Sequence, residues 1–226
     1  MTLIVVTGLL GVLWYVLPHW LKKVQIARLR KRCRDQRLLL LTYDDGPGQR
    51  MTSALRAVLR EQAASATFFV LGRKLDSGQT EILQLKAEGH ELGSHSYQHL
   101  HAWKRDPLSI ILDVQKGLHS LRSMAECRFF RAPYGKLTLG SLIQLRFQGC
   151  NQAWWTIDST DTWSHPKSVE TILQQVRDDG GGVVLMHDMD RSEKPAHEEF
   201  VLELTQALLQ LAKNEGFRVC RFSEVF

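Results

Sequence analysis

Between Thr2 and Leu21 the chain has no lysine, arginine, aspartate or glutamate. Twenty helical residues rise roughly 30 Å, so this uncharged run is long enough to cross a bilayer. Trp14, Tyr15 and Trp20 fit an interfacial aromatic belt. No basic side chain precedes the run and no A-x-A-like tripeptide follows it, features a cleaved signal peptide would show. The pattern predicts a transmembrane anchor over 1–21, ahead of a cleaved signal, with a buried core helix third. Acidic residues are nearly absent from the next stretch: Lys22 to Arg37 holds eight basic residues and only Asp35 against them. The formal net charge of +5 and the pI near 9.1 belong to this collar, since the remaining chain is slightly acidic. That excludes a nucleic-acid-binding surface on the body. By the positive-inside rule, the collar over 22–37 predicts a single-pass protein of the cell membrane with its body at the cytoplasmic face; the alternative is a solvated linker helix. Repeats, low-complexity tracts and C-x-x-C pairs are also missing, and Cys33, Cys127, Cys150 and Cys220 neither require nor exclude an oxidising compartment.

What remains, residues 38–226, is the size of one domain. Short runs of β-formers alternate with longer helical patterns, which predicts repeated βα units around a parallel sheet. Strands are expected at Leu38–Tyr43, Thr67–Leu71, Glu91–Ser94, Phe129–Arg131, Gln152–Ile157, Val183–Met186 and Arg218–Arg221, with helices between them. The fold class is α/β, and such units close most simply into a (β/α) barrel or a distorted seven-stranded version of one. Barrels of this kind carry chemistry at the C-terminal strand ends.

Five motifs fall at those ends. TYDDGP at 42–47 sets two carboxylates side by side, and both stay ionised only with a cation close by; alone it could be a surface D-G turn. In HSYQH, His95 and His99 share the face of a helical turn and could grip one metal ion, with His101 as a further candidate and His90 just upstream. Two imidazoles and a carboxylate leave coordination positions open, as in catalytic zinc sites. RAPYG at 131–135 puts Arg131 where its guanidinium can bind a carboxylate bidentately, before a turn with amides able to face an oxyanion. DSTDTW at 158–163 and LMHD at 185–188 supply Asp158 and His187, a carboxylate and the general acid it would orient.

In this order, the motifs resemble those of the polysaccharide deacetylase family, the NodB-homology carbohydrate esterases, over residues 38–226. The resemblance implies a distorted seven-stranded barrel of that family's type. It makes Asp44 the catalytic base, tethered by Arg131, and Asp45, His95 and His99 the ligands of a divalent metal, Zn2+ by preference. It gives the oxyanion to the Tyr134 amide, the acetyl-methyl pocket to Leu185, the tuning of the acid to Asp158, and the acid itself to His187. Thr162 interrupts the family's D-x-x-D-W pattern, which leaves Trp154 and Trp155 as alternatives to Trp163 for the substrate-facing indole. The implied activity is removal of N-acetyl groups from an amino sugar in a polysaccharide or a lipid-linked glycan. An O-acetyl esterase and a non-catalytic sugar-binding protein are the alternatives.

Overall fold

A computed structural model describes residues 2–191, 193 and 195–225, and for residues 2–10 the helical backbone alone. Helix α1 (Thr2–Gln36) leads into β1 (Leu38–Gly46). There follow α2 (Gln49–Glu61), β2 (Thr67–Val70), α3 (Gln79–Ala87), β3 (Glu91–Ser94), α4 (Pro107–Arg122), β4 (Phe129–Phe130) and α5 (Leu139–Phe147). The chain ends with β5 (Asn151–Gln152), β6 (Ile157–Asp158), α6 (Val169–Asp179), β7 (Gly182–His187), α7 (Pro195–Glu215) and β8 (Arg218–Val219).

The strands form one parallel sheet in the order β5-β4-β3-β2-β1-β7-β6, with β8 added against the start of β1. Strand β1 sits in the middle. Its Leu38–Leu41 run is wholly buried, as expected of a parallel strand covered on both faces. Tyr43, also buried, stacks on Phe68 at 4.9 Å and shares a hydrogen bond of 2.9 Å with Thr205 of α7. Local signals set several helix ends: Asp106 caps α4 ahead of Pro107, and Gly180 ends α6 at φ +70°.

Two expectations need correction. The barrel is open: its end strands β5 and β6 do not pair with each other. The single strand expected over Gln152–Ile157 is instead a crossing, in which the Ala153 amide donates to Phe130 and the Thr156 amide, three residues later, to Val183 on the far side. Buried Ala153 and Trp154 carry the chain across the gap. Second, no helix among the described residues is long and apolar enough to cross a membrane. This overturns the anchor over 1–21 and the cell-membrane localisation built on it, cytoplasmic side included. Met1 and the side chains of residues 2–10 lie outside the described residues. The physical reason is that α1 is a packed wall of the domain, in which anchor and collar are one helix. Trp14 lies beside Gly140, Leu29 and Cys33 belong to the core, and collar side chains bond to the body: Arg30 to the Thr156 carbonyl and Arg34 to that of Asp179. All four cysteines are buried free thiols.

Candidate active site

Register brings β1 and β7 side by side. Asp44 on β1 is the direct neighbour of His187 on β7, and Thr42 that of Leu185. Arg131, wholly buried just past β4, donates from Nη1 to Asp44 Oδ1 at 2.8 Å and to Thr42 Oγ1 at 2.8 Å. The pair is single-pronged rather than bidentate. Arg131 Nε and Nη2 have no hydrogen-bond partner, and the guanidinium instead lies 4.1 Å from the Phe69 ring centroid. Burial lowers the Arg131 pKa and Asp44 works against that.

Asp45, near the end of β1, lies in the left-handed region at φ +71°, which breaks the strand's side-to-side alternation, and its carboxylate and that of Asp44 both approach His95 Nε2, at 3.6 and 3.7 Å. Lys74 Nζ donates to the Asp45 carbonyl at 2.7 Å. The next residue is glycine for a steric reason: a Cβ on Gly46 would lie 2.1 Å from the Asp188 carboxylate. Asp188 is fully buried and accepts from Thr52 Oγ1, and burial raises its pKa to about 7.

His95 and His99 do not share a helical turn. Backbone turns at Ser96 (φ +68°) and His99 (φ +65°) fold one imidazole back toward the other, with ring centroids 5.0 Å apart. Both present Nε2 to Asp45 Oδ1, at 3.6 and 3.3 Å. His95 Nδ1 lies 2.8 Å from the Arg131 carbonyl, which can only accept, so Nδ1 carries a hydrogen and Nε2 is the nitrogen that faces Asp45. Burial, then His95, lowers His99 to about 4, leaving it neutral at pH 7. Burial would raise the Asp45 pKa, but the neighbouring histidines and Lys74 hold it below the usual carboxylate range. Asp45 Oδ1 is buried without a hydrogen-bond partner. An ionised carboxylate, two imidazoles and an orphaned oxygen between them fit a divalent cation, and their ligand atoms lie within 4.8 Å of one another. Among the described residues neither His101 nor His90 joins the group. His101 accepts from the Trp103 amide, and His90 Nδ1 accepts from the Ala66 amide.

The carboxylate on His187 is Asp161, not the expected Asp158. Asp161 Oδ1 lies 2.8 Å from His187 Nδ1, while Asp158 accepts from the Thr160 amide in a local turn. Asp161 has no solvent exposure; it also accepts from the His187 amide, Ser159 Oγ and Arg191 Nη2, and its carbonyl accepts from His197. Burial disfavours the His187 imidazolium, but Asp161, with Asp44 and Asp45 behind it, raises the pKa to about 9. Sequence reasoning missed Asp161 and Arg191. The signal lay in the DSTDTW motif itself, whose second carboxylate stands three residues past the first.

The remaining expected residues surround this centre. Tyr134 (φ +56°) holds its exposed ring against His99 and His101, with centroids 4.6 and 4.8 Å away. Leu185 is buried on β7. Trp163 is 61% exposed, whereas Trp154 is buried with its indole on Gln25 and Trp155 lies over Arg131.

Residues 31–152, which span β1 to β5 and every residue of the cation cluster, match the polysaccharide deacetylase family. The chain belongs to this family. A chitooligosaccharide deacetylase of Azorhizobium caulinodans is 31% identical over 73% of this chain and 78% of its own length. A peptidoglycan-N-acetylglucosamine deacetylase of Bacillus cereus is 29% identical over 84% of this chain and 89% of its own. Among solved structures, a peptidoglycan N-acetylglucosamine deacetylase in complex with 4-naphthalen-1-yl-N-oxidanyl-benzamide aligns with a TM-score of 0.76 at 25% identity, covering 85% of this chain and 89% of that one.

Proposed function

We propose that this polysaccharide deacetylase is a metal-dependent hydrolase that removes N-acetyl groups from an amino sugar in a glycan. The observation that carries the reading is the convergence on one sheet end of the Asp45–His95–His99 cluster, the Arg131–Asp44 pair and the Asp161–His187 pair. The relatives' named substrates, chitooligosaccharide and peptidoglycan, support an N-acetylated glycan. A lipid-linked substrate loses its motive with the anchor. Asp45, His95 and His99 would hold the cation, with Zn2+ preferred by a set of two imidazoles and one carboxylate. Once bound, such an ion supplies Lewis-acid polarisation of the acetamide and a water of lowered pKa.

The protein's own groups do the rest. Asp44, tethered by Arg131, accepts a proton from the attacking water as its oxygen joins the acetyl carbon. The Tyr134 amide donates to the oxyanion of the tetrahedral intermediate. His187, charged through Asp161, protonates the nitrogen as its bond to carbon breaks, which yields acetate and a free amine. Leu185 lines the space for the acetyl methyl, and Trp163 is the most exposed indole able to meet a sugar ring.

The test is acetate release from a panel of N-acetylated and O-acetylated glycans by the purified chain, with and without chelator, alongside Asp45→Ala. Activity on N-acetyl substrates that disappears with chelator and in Asp45→Ala is expected. Activity indifferent to both would remove the metal from the reading, and acetate from esters alone would replace the N-deacetylase with an esterase.

A further inference from the structure

Most of α1 precedes the family match, yet this helix grips the loop that carries Tyr134. Lys22 Nζ donates to the Gly135 carbonyl at 2.9 Å and stands 4.9 and 5.0 Å over the rings of Trp154 and Trp155. Tyr134 and Gly135 are both left-handed, at φ +56° and +61°, a combination that needs outside support when one member is a tyrosine. Inside the turn, the Gly135 and Lys136 amides bond to the Ala132 and Pro133 carbonyls. Outside it, Lys22 holds the Gly135 carbonyl, with the Trp155 ring beside it: a Cβ on Gly135 would lie 2.6 Å from Lys22 Nζ and 2.7 Å from Trp155.

A second contact from α1 secures the far end of the same loop. The Trp103 indole donates to the Leu137 carbonyl at 3.0 Å, and Tyr15 and His19 of α1 back that indole, with ring centroids 6.0 and 6.1 Å away. Residues 134–137 are thus gripped from the helix side at two carbonyls. Lys22 is mostly removed from water, and burial with nearby Lys136 lowers its pKa to about 8. A surface lysine would avoid that position by extending into solvent.

We propose that Lys22 is a positioning residue of the active site, clamping the Tyr134–Gly135 turn so that the Tyr134 amide stays aimed at the oxyanion. This rests on the role given to that amide above. The test compares Lys22→Met, which keeps the apolar stem over Trp154 and Trp155 and removes the donor, with Lys22→Arg, which keeps a donor, both in the full chain. The expected result for Lys22→Met is a kcat lower by roughly tenfold or more, with KM and Zn2+ affinity within about twofold of the wild type. Amide exchange should quicken over 132–137 alone, and Lys22→Arg should recover both effects. A Lys22→Met kcat within twofold of the wild type overturns the proposal, as does exchange that quickens throughout the chain. Exchange needs no turnover, so a wild-type protein that releases no acetate would overturn the deacetylase reading, and exchange alone would then decide the clamp.

Discussion

Asp161 accepts hydrogen bonds from His187, Ser159 and Arg191 on a carboxylate sealed from solvent. Its charge is what holds the His187 imidazolium against the cost of burial. An acid must be protonated to act, so the rate should fall as pH rises through the His187 pKa, near 9 with Asp161 in place. Asp161→Asn removes the raising partner, so that limb should move to lower pH and kcat at pH 8 should fall at least tenfold, on the order expected for a positioned proton donor. A kcat–pH profile measured in both proteins would show it. Gly46→Ala presses a methyl into the Asp188 carboxylate and should cost about 1–3 kcal/mol, readable in urea denaturation. At this scale the sequence was informative about residue identity and poor about pairing. Asp44, Asp45, His95, His99, Arg131 and His187 come together at one end of the sheet. The choice of Asp161 over Asp158 depends on which of two residues three apart turns inward, and a backbone turn at Thr160 (φ +57°) decides that. The histidine spacing was legible but its geometry was not, because left-handed turns at Ser96 and His99 replace the expected helix.

Strand β1 is tied to α7 by a buried hydrogen bond, Tyr43 to Thr205. Thr205 also donates to the Val201 carbonyl, so Tyr43→Phe orphans nothing and should cost only about 0.5–1.5 kcal/mol with kcat unchanged, measured by thermal unfolding and acetate assay. Helix α1 contributes to the core rather than standing apart from it. Leu29→Ala should therefore destabilise the whole domain by about 2–4 kcal/mol in urea, whereas a detached linker helix would show almost no change. Helix and strand periods made most elements legible, β3 to the residue. Two were misread for one reason: local pattern carries no information on what lies across the molecule. An uncharged run fits a lipid environment or a neighbouring helix equally well, and α1 meets α5. The apolar stretch after Gln152 looked like one strand because Trp154, Trp155, Thr156 and Ile157 are all β-formers, while its amides serve opposite edges of the sheet.

Across the whole molecule, a cation bound by Asp45, His95 and His99 in the folded state alone would link activity to stability. Adding Zn2+ to chelator-treated protein should raise the melting temperature and restore acetate release together, and in Asp45→Ala it should do neither. Differential scanning fluorimetry and the assay, run on the same samples, check this. The order of the strands has a bearing on synthesis. Strand β7 lies between β1 and β6 although it is made after both. While the ribosome is still short of His187, β1 has a bare flank where its later neighbour belongs, and Asp44 has no imidazole beside it on that side. A growing chain can assemble the β1-to-β5 side early, but the pairing of Asp44 with His187 waits for β7, so a fragment released before that strand would lack one half of the proposed acid–base pair.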